Sequence, residues 1–354
     1  LKSGKSAKRG CINSKQPVPT NLKNTEPMGK GLAEALIEIP STYDEEYKQF
    51  FLNKDFYSPG YLSSLAAFLS FQHVLERNFD CECPNNNSYL ETLGLYHILW
   101  GRKAPYQVGN GQYYTPITQL LSVESTDDVT ASINSCLRHF TGYTDGDIPE
   151  GLAKLTHVVG ELLDNVWSHG FSTGFAMAQK TAVPYTDRKD FYLEFSIVDK
   201  GLGFLEEAKR SGKSKEHNLN TDICALKWCL KKGNSTKHAN DIDEWVQQLP
   251  PEHTGDSPYG AGIGANYEVN HHQGLGLAHL VELIEKCHGS LVIASGEAML
   301  TIGEDGQRTE CNLYNPWKGV AISCKFKLSL LLKEIENTDD DEVLALMDRL
   351  KGGV

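Results

Sequence analysis

The sequence predicts an α/β (α+β) protein in which a mixed sheet covered by helices follows a small α/β module. Three observations lead there. The 354-residue length exceeds one average domain. Stretches with apolar residues at helical spacing alternate with short runs of strand character. Hydrophobic residues make up 40% of the chain and charged residues 23%, an ordinary balance for a globular protein.

Taken in order, residues 1–30 are polar, hold Pro17, Pro19 and Pro27, and show no apolar periodicity, which reads as a flexible arm. The arm is basic: Lys2, Lys5, Lys8, Arg9, Lys15, Lys23 and Lys30 face a single acid, Glu26. The net charge of -12 over the whole chain opposes nucleic-acid binding, so only this arm offers a place for it, and a solvated tail explains it without a partner.

Residues 31–110 are expected to form the small α/β module: a strand over 33–40 (AEALIEIP), a helix over 61–77, a short strand at CECP, and a helix over 88–99 interrupted by Gly94. The glycine- and tyrosine-rich stretch 101–117 connects it to a second unit, with a boundary near Gly111. That unit, 111–332, is expected to hold helices over 127–143 and 151–170, and an alternating strand, DFYLEFSIVDKGLGF, that runs into a glycine turn. A long region, 204–273, then contains one clear helix, DICALKWCLKKG, before a helix that opens at Gly274 and strands SLVIAS and VAISCKFKL. Residues 333–354 read as an acidic linker and an amphipathic helix, for surface packing or a partner.

No apolar run approaches the roughly 20 residues of a membrane span, and no apolar stretch follows the basic N-terminus as in a secretory signal. A cytoplasmic location is expected, and the nine cysteines, an odd number, are expected to be reduced. His217, His238, His253, His271 and His272 with Cys224 and Cys229 match no metal-ligand spacing.

Three separated segments carry chemistry. In ELLDNVWSHG, Glu161 and Asn165 stand one helical turn apart on one face, with Asp164 beside them, a placement suited to a proton acceptor and a metal ligand near one phosphate. In DKGLGF, Asp199 ends an apolar strand and Gly201 and Gly203 follow, so a carboxylate is presented where backbone approaches a ligand closely. In HQGLGLAHL, Gly274, Leu275, Gly276 and Leu277 open a helix, whose free N–H groups and dipole favour phosphate. Singly, each also reads as an ordinary feature: a solvated helix face, an aspartate–glycine turn, a helix start.

In this order and spacing the three resemble the N, G1 and G2 boxes of the GHKL superfamily, which includes histidine kinases, anti-sigma-factor kinases and DNA gyrase. The resemblance covers roughly 127–328 and is nearest to stand-alone bacterial ATP-binding proteins related to histidine kinases and anti-sigma-factor serine kinases. The upstream segment is more weakly similar to STAS-like domains. The resemblance implies a Bergerat-type ATP-binding sandwich and ATP with Mg²⁺ as cofactors. It implies that Asn165 holds Mg²⁺ and Glu161 acts as general base. Asp199 would take the adenine amino group, with Gly201 and Gly203 passing beside the base. The Gly274–Leu277 segment would bind the phosphates, and 204–273 would be the ATP lid. His169 matches the histidine of the serine-kinase pattern. Ser168 stands where histidine kinases and many serine kinases carry lysine, His272 where glycine is common, and the lid is longer than usual.

Three activities stay open on these residues: an ATP-hydrolysing regulatory or stress-response switch, a serine/threonine kinase acting on a small protein, and a non-catalytic nucleotide sensor. A protein partner is expected in each, and a homodimer is compatible with all.

Overall fold

Leu32, Ala33, Ala35, Leu36 and Ile39 recur at helical rather than alternating spacing, and all five are buried on helix α1 (Leu32–Thr42). The strand expected over 33–40 is therefore this helix. Its start is fixed by Glu34, whose carboxylate accepts the Gly31 N–H at 2.9 Å. The computed structural model describes residues 29–104, 110–121, 123–143, 148–168, 173–184, 190–234 and 276–333.

After α1 come β1 (Tyr43–Asp44), β2 (Gln49–Leu52), α2 (Pro59–Phe71), β3 (Phe79–Cys81), α3 (Pro84–Thr92) and α4 (Leu95–Trp100). The first two strands pair antiparallel, and β2 pairs with β3 in parallel. Helix α2 stops at Phe71, short of the expected Arg77, and His73 beyond it takes a left-handed φ of 52°. Gly94, at φ 84°, separates α3 from α4.

The rest of the described chain is β4 (Thr118–Leu120), α5 (Val123–Thr141), α6 (Glu150–Ser168), β5 (Gly174–Ala182), β6 (Phe191–Asp199), α7 (Phe204–Arg210), α8 (Lys213–Glu216), α9 (Asp222–Cys229), α10 (Gly276–Lys286), β7 (Ser290–Ile302), β8 (Arg308–Lys327) and α11 (Leu328–Leu331). The large sheet runs β4-β5-β6-β8-β7. The chain is α+β as expected, but every strand pairing described in the large sheet is antiparallel, and the mixed sheet is the small one, where β2 and β3 pair in parallel.

Both faces of the large sheet are covered. On β6, Leu193, Phe195 and Ile197 point to one side and join Val159 and Leu163 of α6 and Leu280 and Ile284 of α10. Val198, with Phe175 and Met177 of β5, points to the other side and joins Leu36, Leu62 and Leu65 of α1 and α2. Helices α1 and α2 thus share one hydrophobic core with the sheet. Polar bonds fasten the same contact: Glu194 Oε1 accepts from Ser58 Oγ at 2.8 Å, Gly60 N at 3.1 Å and Ser323 Oγ at 2.9 Å. A sheet with two apolar faces needs two covers, and the segment before Gly111 supplies the second.

The region expected as a lid begins differently. Helices α7 and α9 pack on β7, around a small core of Leu205, Ala208, Leu219, Ala225 and Trp228. Asp222 Oδ2 accepts the Glu297 N–H at 2.9 Å, tying α9 to β7. Residues 204–234 are therefore docked on the body, and 235–273 lie outside the described residues, as do the arm through residue 28 and residues 334–354. No helix among the described residues is long and apolar enough to cross a membrane. The described cysteines are free thiols.

Candidate functional site

Helix α6 buries Val158, Val159, Leu162, Leu163 and Val166 against the sheet, which leaves Glu161 and Asn165 half-buried on its flank. The start of α10 crosses that flank. A β-carbon on Gly276 would lie 2.6 Å from Glu161 Oε2 and 3.0 Å from Glu161 Cβ, so a larger residue there would displace the Glu161 side chain. Glu161 Oε2 is buried and has no hydrogen-bond partner among the described residues, while Oε1 lies 3.3 Å from His157 Nε2. A buried acceptor left in this state carries its desolvation cost uncompensated.

Asp199 closes β6, on the same face as Phe195 and Ile197 and therefore toward α6 and α10. Its Oδ1 accepts from Gly201 N at 2.7 Å and Val320 N at 3.3 Å, and its carbonyl accepts from Trp317 Nε1 at 3.0 Å. Burial raises its carboxyl to about 6, the two backbone amides pulling in the opposite direction. Gly203, at φ 78°, has no room for a side chain, since a β-carbon would meet Ser295 Oγ at 2.6 Å. Across the sheet Gly174 is the register partner of Asp199, and a β-carbon there would stand 3.1 Å from Val166 Cγ1 on α6. The residue after Asn165 thus rests on the strand pair that ends at Asp199.

Of the residues singled out from sequence, Glu161 and Gly276 meet directly, and Asp199, Gly201 and Gly203 are buried in one turn at the end of β6. Leu277 is buried in the core shared by α6 and α10. Asp164 is half-buried and has a partner of its own. His169, Gly274 and Leu275 lie outside the described residues.

Sequence reasoning missed what surrounds the Asp199 turn. Gly319, at φ 101°, packs so closely that a β-carbon would lie 2.4 Å from the Asp199 carbonyl oxygen, and a glycine inside a strand was the available signal. Lys200 turns to the opposite face, where its ammonium lies 3.2 Å above the Trp317 ring and burial lowers it to about 7. It is held away from the face that Asp199 and Glu161 share. His157, one turn before Glu161, and His279 on α10 were also passed over.

The arrangement offers a proton acceptor with one unsatisfied oxygen, an amide one turn along, a helix start crossing beside them, and a second carboxylate at the sheet end. No protein-family model, curated protein or solved structure matches the chain.

Proposed function

We propose that the chain binds Mg-ATP between α6, the Asp199 turn and the start of α10, and acts as a regulatory switch that slowly hydrolyses it, in the manner of the GHKL superfamily. The observation that carries this reading is the contact between Glu161 and Gly276, which joins the first and third sequence segments at one place. Supporting it, Asp199 from the second segment lies on the same side of the same sheet.

In this reading Asp199, when ionised, accepts from the adenine amino group, and Gly201 and Gly203 keep the turn free of side chains beside the base. The backbone amides of Gly274, Leu275, Gly276 and Leu277 bind phosphate oxygens at the positive end of α10. The Asn165 amide oxygen would hold Mg²⁺, which needs few protein ligands where phosphates and water supply the rest and which offsets phosphate charge. Glu161 takes the proton of a water whose oxygen attacks the γ-phosphorus as the bond to the β–γ bridging oxygen breaks, giving ADP and phosphate. The unsatisfied Glu161 Oε2 is the kind of acceptor this step requires.

The switch would act in the cytoplasm on a protein partner or a second copy of the chain. Transfer of the γ-phosphate to a serine or threonine hydroxyl is the alternative, with Glu161 deprotonating that hydroxyl instead. A sensor would bind without either reaction.

Nucleotide binding with and without Mg²⁺, followed by turnover assays on the wild type, Glu161→Gln and Asn165→Ala, tests the proposal. Glu161→Gln is expected to keep ATP affinity and lose turnover by about 10²–10⁴-fold, the range for a general base. Asn165→Ala is expected to lose the Mg²⁺ dependence of binding. A chain with no affinity for adenine nucleotides overturns the reading.

A further inference from the structure

We propose that His157, Glu161 and His279 form a binding site for a transition-metal ion of the zinc class. His157 and Glu161 stand one turn apart on α6, and His279 lies in the first turn of α10, which packs against α6. One donor atom from each residue lies within 4.8 Å of the other two. The imidazole rings of His157 and His279 are 6.4 Å apart between centroids and inclined at 43°, a tilted and not a stacked pair.

The distances suit a small tetrahedral ion. His157 Nε2 and Glu161 Oε1 are 3.3 Å apart. Adjacent ligands on an ion with bonds of about 2.0–2.1 Å stand roughly 3.4 Å apart. Tightening the remaining distances would require rotation of an imidazole, and the His157 side chain is 66% exposed. The carboxylate adds to this. Its Oε1 faces His157, and its Oε2 is buried with no hydrogen-bond partner among the described residues, so the charge is incompletely compensated and a cation on Oε1 would offset it.

Donor type selects the ion. Two imidazole nitrogens and one carboxylate are the three-ligand set of an open zinc site, with water in the fourth position, and nitrogen donors disfavour Mg²⁺ and Ca²⁺. Along α6, His157, Glu161 and Asn165 fall at i, i+4 and i+8, so one helix face passes from nitrogen to oxygen donors. The metal site rests on these three side chains alone and stands without the nucleotide reading. Where both hold, an ion on Glu161 engages the carboxylate that would otherwise take the proton, and Zn²⁺ becomes an inhibitor of turnover.

The test is titration of the full-length chain with Zn²⁺ and, separately, Co²⁺, without nucleotide, on the wild type, His157→Ala and His279→Ala, with folding checked by circular dichroism. The wild type is expected to bind an ion whose Co²⁺ spectrum lacks a thiolate charge-transfer band. Each histidine variant is expected to lose affinity by at least about 100-fold, the upper end of what losing an outer-shell partner costs. Should His279→Ala fail to fold, the exposed His157 carries the test by itself. Unchanged affinity in the folded variants, a thiolate band in the wild type, or no binding at all overturns the site. Because nucleotide is absent, those results leave the ATP reading untouched, and loss of ATP binding leaves the metal site untouched.

Discussion

Gly276 lies against Glu161 with room for a hydrogen and nothing larger: a β-carbon would stand 2.6 Å from the carboxylate Oε2. The φ of Gly276 is not left-handed, so what favours glycine here is this approach and not backbone conformation. Gly276→Ala is expected to push the Glu161 carboxylate away and to cost about 1–3 kcal/mol, as overpacking does, less the gain of roughly 1 kcal/mol for alanine over glycine in a helix. Denaturant unfolding measures the net change. On the proposed nucleotide reading, the same substitution should also lower ATP turnover in the folded protein.

Asp199 makes stability depend on pH. Its carboxyl titrates near 6 when folded, because burial disfavours the charge. When unfolded it titrates near the ordinary value of about 4. Between these values the folded state keeps a proton that the unfolded state has lost, so this group's contribution to stability falls as pH rises from about 4 to about 6. Melting temperatures of the wild type minus those of Asp199→Asn, taken across that window, should slope downward. A flat difference contradicts the assignment.

Gly319 and Gly306 separate strain from crowding. Both have left-handed φ, 101° and 76°, but a β-carbon at Gly306 meets nothing within 4 Å, whereas at Gly319 it would fall 2.4 Å from the Asp199 carbonyl oxygen. Gly306→Ala is expected to cost about 1 kcal/mol, the penalty for an L-residue in the left-handed region. Gly319→Ala is expected to cost clearly more and to disturb the Asp199 turn. Equal losses on chemical unfolding would remove the close packing as a cause.

Glu194 is the polar link between the sheet and the start of α2. Three donors share its Oε1, and Ser58 and Ser323 among them are buried. Glu194→Ala is expected to cost more than the roughly 1.5–3 kcal/mol of a single hydrogen bond to a charged group, because it leaves several buried donors unpaired. Glu194→Gln, which keeps an acceptor, should cost less. Because 31–110 and the sheet share one core, tryptophan fluorescence and circular dichroism should report the same transition in both variants.

What the sequence determined by itself is local. The 3.6-residue apolar spacing of 151–168 marked α6, the alternation of 191–199 marked β6, and glycine punctuation marked the turn after Asp199 and the start of α10, so Glu161, Asp199 and Gly276 were visible as candidates. Each of these signals arises from neighbours within a turn or a pleat. Strand β5 escaped notice because Phe175 to Ala178 are buried on both faces and so show no alternation. Only the tertiary structure decided that α1 and α2 cover the second face of the sheet, that α7 and α9 are docked on β7, and that Gly276 touches Glu161 while Gly319 touches Asp199. These pairs stand more than 100 residues apart in the chain, and their contact is set by how helices and strands pack, which no local spacing encodes.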